Sequence, residues 1–243
     1  MQNTLCFDLG NSRLKCAVFQ HDNLLEVILL EDISINTIHT VLQTYQPSHS
    51  ILSSVIKDTE ELEATLLQNT MFHKLNYESK LPFISPVAKP QTIGADRLAI
   101  CAAAVDIYPN QHVLVIVLGT CITFNYINTQ HQFLGGAISP GMNMRFKAMN
   151  QHTALLPQVS PEKIVPLIGF DTKTNLLSGV QLGISKEIDG TIVEYKEQFE
   201  NLKVLLTGGD CTWILPFIKQ TVIHDENLLF KGLYSIGKNN WQE

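Results

Sequence analysis

Two short glycine turns, about half the chain apart, carry the residue types that grip a nucleotide. The first is Asp8-Leu9-Gly10-Asn11-Ser12 and the second is Val117-Leu118-Gly119-Thr120-Cys121, each between apolar, β-prone runs. A glycine permits a tight turn between strands, and its missing Cβ lets backbone N–H groups approach a phosphate closely. Asp8 offers the carboxylate that a hydrated Mg²⁺ requires, while Ser12 and Lys15 add a hydroxyl and a positive charge. The pattern indicates phosphate chemistry.

Repetition of the turn strengthens this interpretation. Either turn by itself is more typical of an ordinary β-hairpin than of a ligand site. Residues 7–12, however, align with residues 116–121, and both segments continue into a second apolar strand. A duplicated unit, with its two halves facing each other across a cleft, is the simplest explanation.

The composition favours a small-molecule ligand. A net charge of −6 and a pI near 5.7 argue against a nucleic-acid or anionic-membrane partner, because both require a concentrated basic face. The five cysteines are scattered and form no Cys-x-x-Cys pair, which favours buried thiols of a cytoplasmic protein over disulfides or a zinc site. No run of about 18 apolar residues and no basic, then apolar, leader pattern is present. We therefore expect neither secretion nor membrane insertion.

Arginine is used sparingly. The chain has 14 lysines but only three arginines, Arg13, Arg97 and Arg145, and each lies in a glycine-containing motif. A planar guanidinium is favoured where a phosphate or carboxylate is held by two hydrogen bonds. The pattern predicts ligand contacts for these residues, and structural ion pairs are the alternative for any one of them.

The apolar spacing predicts a similar order of elements in both halves. In the first half we expect strands at 4–9, 14–19 and 24–31, a helix at 33–45, a strand at 51–56 and a helix at 59–68. Prolines mark residues 80–93 as an irregular loop. The alanine-rich residues 94–107 are predicted to form a helix, with Asp96 and Arg97 in its first turn.

The second half restarts with strands at 113–118, 121–127 and 132–138 and a helix from Gly141 to about residue 150. A helix at 175–199, a strand at 203–207 and helices at 212–219 and 227–237 follow. We therefore divide the chain into residues 1–112, with the first phosphate loop, and residues 113–243, with the second.

Taken in order, these motifs resemble those of type III pantothenate kinases, within the actin, hexokinase and sugar-kinase superfamily. The resemblance implies an α/β fold of two ribonuclease-H-like lobes, as in actin-like ATPases, with a nucleotide cleft between them. The matching segments are DLGNSRLK at 8–15, GADR at 94–97, LGTCIT at 118–123, GGAISPGM at 135–142, TALLP at 153–157, GFDTKTNLLSGVQLG at 169–183 and LTGGD at 206–210.

The resemblance also implies an activity: ATP-dependent phosphorylation of pantothenate to 4′-phosphopantothenate, the first step of coenzyme A biosynthesis. It implies a cytoplasmic homodimer whose interface helps close the substrate pocket. ATP would be bound by Asp8, which holds Mg²⁺ through water, and by Leu9, Gly10, Asn11, Ser12, Arg13, Leu14, Lys15 and Thr120. Pantothenate would be bound by Val87, Gly94, Ala95, Asp96, Arg97 and Thr172, with Asp96 as the general base.

Three positions depart from the pattern of this family. Val117 stands where a cation-ligating aspartate is usual, and valine has no oxygen to bind K⁺ or NH₄⁺. Val87 replaces a usual tyrosine of the substrate pocket, and Asn125 replaces a common aspartate. We therefore expect weak stimulation by a monovalent cation and altered contacts with the substrate.

Two other functions stay open at this point. Val87 is compatible with a kinase for another small hydroxylated substrate, and Val117 with a nucleotide-binding regulatory homologue that lacks kinase activity. Asp96 weighs against the regulatory homologue, because a pure binder needs no base there. Without the other motifs, Asp96 and Arg97 would be explained by a structural role, in which they cap the helix and form a local ion pair.

Overall fold

The computed structural model describes residues 3–10 and 13–241, so Asn11 and Ser12 of the predicted phosphate loop lie outside the described residues. The chain forms two compact units. The first comprises Met1–Pro109, His131–Phe133 and Asn227–Glu243, and the second comprises Asn110–Gln130 and Leu134–Glu226.

Ten strands and eight α-helices make up these units within the described part of the chain. The strands are β1 (Asn3–Leu9), β2 (Leu14–Gln20), β3 (Asn23–Leu30), β4 (Pro47–Ser54), β5 (Met71–Lys74), β6 (Val113–Leu118), β7 (Cys121–Ile127), β8 (Phe133–Pro140), β9 (Lys203–Thr207) and β10 (Ile223–His224). The helices are α1 (Ile35–Tyr45), α2 (Glu60–Asn69), α3 (Ala95–Ile107), α4 (Met142–Gln151), α5 (Thr172–Leu177), α6 (Gly183–Gln198), α7 (Cys211–Ile214) and α8 (Leu228–Asn240).

The two sheets have the same topology. The first has the strand order β3-β2-β1-β4-β5, and the second has the matching order β8-β7-β6-β9-β10. β1 runs antiparallel to β2 and parallel to β4, just as β6 runs antiparallel to β7 and parallel to β9. This repeat confirms the predicted fold class of two ribonuclease-H-like α/β lobes.

Helices cover both faces of the first sheet. One face, with Leu5 and Phe7, packs against α1 and α2, and α3 and α8 pack together on the other. A Cβ placed on Gly232 of α8 would lie 1.7 Å from the carbonyl oxygen of Ala99, so glycine and alanine set this close helix contact. The Trp241 indole N–H donates to the Ser50 carbonyl at 3.0 Å, which fixes the end of α8 beside β4.

The second sheet has a large apolar core on one face. Side chains of β6 and β7, such as Leu114 and Phe124, pack against Leu177 and Ile184 of the long helical segment. The predicted single helix at 175–199 is α5 and α6 joined by a π-helical segment, Ser178–Leu182. Within the described residues, none of the helices has the length and apolar character needed to span a bilayer.

Most predicted elements match the structure, and the differences occur in short segments. The helix predicted at 212–219 ends at Ile214 and continues as a 3₁₀ turn, Leu215–Phe217, where Pro216 lacks the N–H of a regular helix. β4 begins four residues before the predicted start at residue 51. β5 and β10 were not predicted, because strands of four and two residues are too short for a visible alternation.

Candidate active site

The first predicted phosphate loop is the tip of the β1–β2 hairpin. Asp8 and Lys15 are direct cross-strand partners, and the Gly10 N–H donates to the Arg13 carbonyl at 3.1 Å across the turn. Arg13 is exposed. Leu9 is fully buried and Leu14 packs against the same core, so only their backbone groups face the turn.

The pKa of the Asp8 carboxylate is strongly shifted by its surroundings. Burial is the main reason that its pKa is raised from 3.8 to about 6, and the negative charge of Asp96 raises it further. Lys15 partly opposes both effects. The tertiary structure therefore brings together two carboxylates and an ammonium group from three elements, β1, β2 and α3, that are distant in the sequence.

Gly94 shapes the position of the Asp96 carboxylate. Gly94 is the N-cap residue of α3, and Asp96 lies in the first helical turn. A Cβ added to Gly94 would lie only 2.4 Å from Asp96 Oδ1, so the carboxylate occupies the space that the missing side chain leaves. Ala95 begins the helix, and the Arg97 N–H donates to the Gly94 carbonyl at 3.0 Å.

The irregular loop 80–93 is fixed beside this helical turn by residues 131–133. The Ile84 N–H donates to the His131 carbonyl at 2.9 Å, and the Phe133 N–H donates to the Ile84 carbonyl at 2.8 Å. The Phe133 ring packs edge-on against Phe83 at 6.3 Å between centroids. The Arg97 guanidinium lies 5.4 Å from the same ring centroid, in cation–π geometry. Phe133 thus links the loop to the helix that carries Asp96.

The second predicted phosphate turn is the tip of the β6–β7 hairpin, and two further glycines pack against its backbone. The Gly141 N–H donates to the Thr120 carbonyl at 3.1 Å, and a Cβ on Gly141 would lie 2.1 Å from the Gly119 carbonyl oxygen. Gly208 has a φ of +109°, and its Cβ would lie 2.2 Å from the Leu118 carbonyl oxygen. These contacts fix the turn and leave Thr120 exposed.

The remaining predicted substrate residues lie in different units. Val87 is half-buried in the loop of the first unit. Thr172 is the exposed first residue of α5 in the second unit, directly after Asp171, whose carboxylate caps this helix by accepting from the Thr174 N–H at 2.7 Å. The first unit alone thus brings together Asp8, Lys15 and Asp96.

Arg145 was predicted to contact a ligand, which stays a prediction, and the structure gives its guanidinium three partners within the protein. Its guanidinium forms an ion pair with the Glu187 carboxylate. It also donates to the Pro140 carbonyl at 2.8 Å and to the Ser139 hydroxyl at 3.0 Å. These bonds tie α4 to α6 and to the end of β8, which is the structural role that sequence reasoning left as the alternative.

Val117, at the position where the family resemblance predicts a cation-ligating aspartate, has no oxygen atom in its side chain. Val117 is the cross-strand partner of Thr123, on the sheet face that also carries Val115 and Asn125. Asn125 is fully buried, and its amide nitrogen donates to the Val115 carbonyl at 3.1 Å and to the Thr123 hydroxyl at 3.0 Å. Two oxygens near Val117 therefore already accept hydrogen bonds from a neutral amide.

Asp8 does fit a magnesium ligand. Among the described residues, no group of three or more His, Cys, Asp or Glu side chains is arranged to hold a metal ion. Mg²⁺ commonly uses only one or two protein carboxylates and completes its shell with phosphates and water. A divalent cation would also offset the cost of the buried Asp8 charge, which the raised pKa of this residue expresses.

Ser53 is a neighbour of this site that sequence reasoning missed. It is buried on β4, directly beside Asp8 in the parallel β1–β4 register. The only available signal was the expectation that ligand groups gather at the carboxyl ends of parallel strands. That rule requires knowledge of which strands are neighbours, and the sequence does not show that β4 pairs with β1.

Comparison with known proteins matches the sequence of this chain to one protein family. The family model described as type III pantothenate kinase matches residues 4–194. A type III pantothenate kinase from Christiangramia forsetii is 41% identical over 231 residues, which cover 94% of this chain and 95% of that protein.

Solved structures share the fold. A Campylobacter jejuni protein described as a Baf family transcriptional activator has a TM-score of 0.61 at 24% identity, over 97% of this chain and 98% of that one. A glucokinase from an Antarctic psychrotroph has a TM-score of 0.51 at 10% identity, over 98% and 99%.

Proposed function

The chain belongs to the type III pantothenate kinase family, and we infer from its site how it transfers a phosphoryl group from ATP to pantothenate. The product, 4′-phosphopantothenate, is formed in the first step of coenzyme A biosynthesis. The observation that supports the assignment of roles is the meeting of Asp8, Lys15 and Asp96, all half-buried, in the first unit. Phosphoryl transfer needs such a concentration of charge for positioning and neutralisation.

Asp96 is the proposed general base. Its carboxylate accepts the proton of the primary hydroxyl of pantothenate, late in the reaction, as the new oxygen–phosphorus bond forms, the bond from the γ-phosphorus to the bridging oxygen of ATP breaks and ADP leaves. Gly94 leaves room for the required position of the carboxylate, because any side chain there would collide with Oδ1. Arg97, held over the Phe133 ring, adds a positive charge at the same turn that suits the carboxylate of pantothenate.

Asp8 and Lys15 form the proposed phosphate end of the site. Asp8 would hold Mg²⁺ through water, and the ion would supply neutralisation of phosphate charge. Lys15 contributes a positive charge from the strand opposite Asp8. The backbone of residues 8–15 and the exposed Thr120 turn of the second unit contact ATP in this proposal.

The proposed mechanism assigns no side chain to a monovalent cation. Valine at position 117 offers no ligand, and the Asn125 amide already donates to the nearby oxygens. The proposal is therefore that K⁺ or NH₄⁺ stimulates this enzyme weakly.

We propose that the enzyme acts as a homodimer in the cytoplasm. Five apolar side chains in residues 155–170 of the second unit are more than three-quarters exposed: Leu155 (92%), Ile164 (86%), Leu167 (78%), Ile168 (83%) and Phe170 (82%). Exposed apolar surface on this scale is typical of a face that another chain covers. The acidic net charge favours neither nucleic acid nor an anionic membrane as a partner.

Turnover measured through ADP release tests the proposed roles directly. ADP release by the wild-type protein should depend on added pantothenate. Asp96→Asn should lower turnover by roughly 10²- to 10⁴-fold, the usual contribution of a positioned base, with ATP affinity and melting temperature retained. Asp106→Asn, on an exposed position of the same helix, is the matched control and should leave turnover unchanged. Near-normal turnover of Asp96→Asn at saturating substrate would show that another group is the base.

A further inference from the structure

Ser85 has an unusual hydroxyl. Among the buried side-chain polar atoms of the described residues, its Oγ is the one without a hydrogen-bond partner. Leaving a buried hydroxyl unpaired is unfavourable, and polar atoms in this state are uncommon in native proteins. The unpaired Ser85 hydroxyl is therefore a candidate to hydrogen-bond a ligand.

The position of Ser85 connects it to the acceptor side of the site. It directly follows Ile84, whose two backbone hydrogen bonds fix the loop to residues 131–133. The ring of Phe133 in that segment contacts the Arg97 guanidinium, one residue after Asp96. Ser85 therefore lies in a fixed part of the loop, tied through Phe133 to the helical turn of the proposed base.

The neighbouring Val87 makes a polar group in this loop more valuable. Pantothenate has an amide, a secondary hydroxyl and a carboxylate besides the primary hydroxyl that is phosphorylated, and a selective site provides hydrogen-bond partners for such groups. Val87 is half-buried in the same loop and has no side-chain donor or acceptor. The Ser85 hydroxyl, two residues away, is a polar group that the protein itself does not use.

We propose that the Ser85 hydroxyl is a specificity contact that hydrogen-bonds a polar group of pantothenate other than the primary hydroxyl. This rests on the proposed function, because the ligand is the acceptor substrate of the kinase. Rotation about a single side-chain torsion moves the hydroxyl between three staggered positions.

The test uses Ser85→Ala in the full-length enzyme. Because the hydroxyl has no protein partner in the ligand-free state, its removal should leave the melting temperature unchanged or slightly higher. The KM for pantothenate and its Kd from calorimetry should rise about five- to tenfold, while kcat and the KM for ATP stay close to wild type.

Ser79→Ala is the matched control from the same region. The Ser79 hydroxyl is buried but fully engaged, with the His73 Nε2 at 2.8 Å and with the Asn76 N–H, which donates to it at 3.0 Å. Its removal should lower the melting temperature and leave the pantothenate KM unchanged. The two variants thus separate a substrate contact from a structural one.

The outcomes distinguish failure of this inference from failure of the proposed function. A wild-type enzyme that binds and phosphorylates pantothenate, together with an unchanged pantothenate KM and Kd in Ser85→Ala, overturns only the Ser85 contact. A lower melting temperature with unchanged KM identifies a structural role, such as holding a buried water, and also overturns it. A wild-type protein that neither binds nor phosphorylates pantothenate overturns both.

Discussion

Asp8→Asn should stabilise the ligand-free protein at neutral pH while it abolishes most of the activity. Asp8 has a folded-state pKa of about 6, above its ordinary value of 3.8, because of burial and the nearby Asp96 charge. Between these two pH values the folded state therefore holds a proton that the unfolded state has released. The free energy of unfolding falls as the pH rises from about 4 to about 6, and this loss is complete at pH 7. Asparagine keeps the shape of the side chain without the charge.

The expected gain in the free energy of unfolding follows from the shift in the pKa of Asp8. A difference of about 2 units corresponds to about 3 kcal/mol of destabilisation at pH 7 in the wild-type protein. Asparagine introduces an amide that needs its own hydrogen bonds, so we expect a net gain of about 1–3 kcal/mol. For a chain of this size, such a gain raises the melting temperature by roughly 3–10 °C.

Thermal unfolding from pH 4.5 to pH 8, in a chelator and without nucleotide, measures the effect. The difference in unfolding free energy between Asp8→Asn and wild type should be largest above pH 7 and smaller by about 2 kcal/mol at pH 4.5. Asp22→Asn is the control, because Asp22 is exposed and its hydrogen bond with Lys238 lowers its pKa, so that variant should gain no stability. MgATP should then raise the melting temperature of wild type more than that of Asp8→Asn. An Asp8→Asn protein that is no more stable than wild type at pH 7, or that keeps the wild-type pH dependence, would refute the reasoning.

Three further predictions address the base, the cation and the oligomer. Gly94→Ala should displace the Asp96 carboxylate and lower kcat about tenfold or more, with little change in melting temperature. Gly190→Ala is the control: a Cβ at this position meets no atom within 4 Å, so this variant should keep normal kcat. A Gly94→Ala enzyme with normal kcat would show that the carboxylate tolerates the added methyl group. Val117→Asp should gain sensitivity to K⁺ in a titration free of Na⁺ and NH₄⁺, whereas strong K⁺ activation of wild type, unaltered in the variant, would contradict the assignment. Phe170→Asp should shift the mass measured by light scattering from about twice 27.2 kDa toward the single-chain value, and a wild-type monomer would disprove the dimer.

The chain order of the elements was predictable because local signals dominate it. The alternation of apolar residues marks β1, β2, β6 and β7, and the alanine-rich run of residues 95–107 marks α3. The two glycine turns and the position of Asp96 in a first helical turn followed from the same local patterns. The roles given to residues 8–15, 94–97, Thr120 and Thr172 came from the family resemblance and stay predictions until variants are measured.

Other features depend on contacts between distant segments, which no local pattern contains. The sequence predicts α8 as a helix, but only packing places it against α3, where Gly232 meets Ala99. Arg145 carries a guanidinium in a glycine-rich motif, yet its ion-pair partner, Glu187, lies 42 residues away.

The sequence by itself determined the order of the elements and which elements hold the candidate residues, because residue types, turn glycines and apolar periodicity act over a few neighbouring positions. The tertiary structure decided how those groups perturb one another. The pKa of Asp8 reflects burial in a sheet and a charge on a helix 88 residues further along the chain. The lack of a partner for the Ser85 hydroxyl is likewise a property of its packed surroundings. Burial and charge act through space, so they become defined only when folding brings distant segments together.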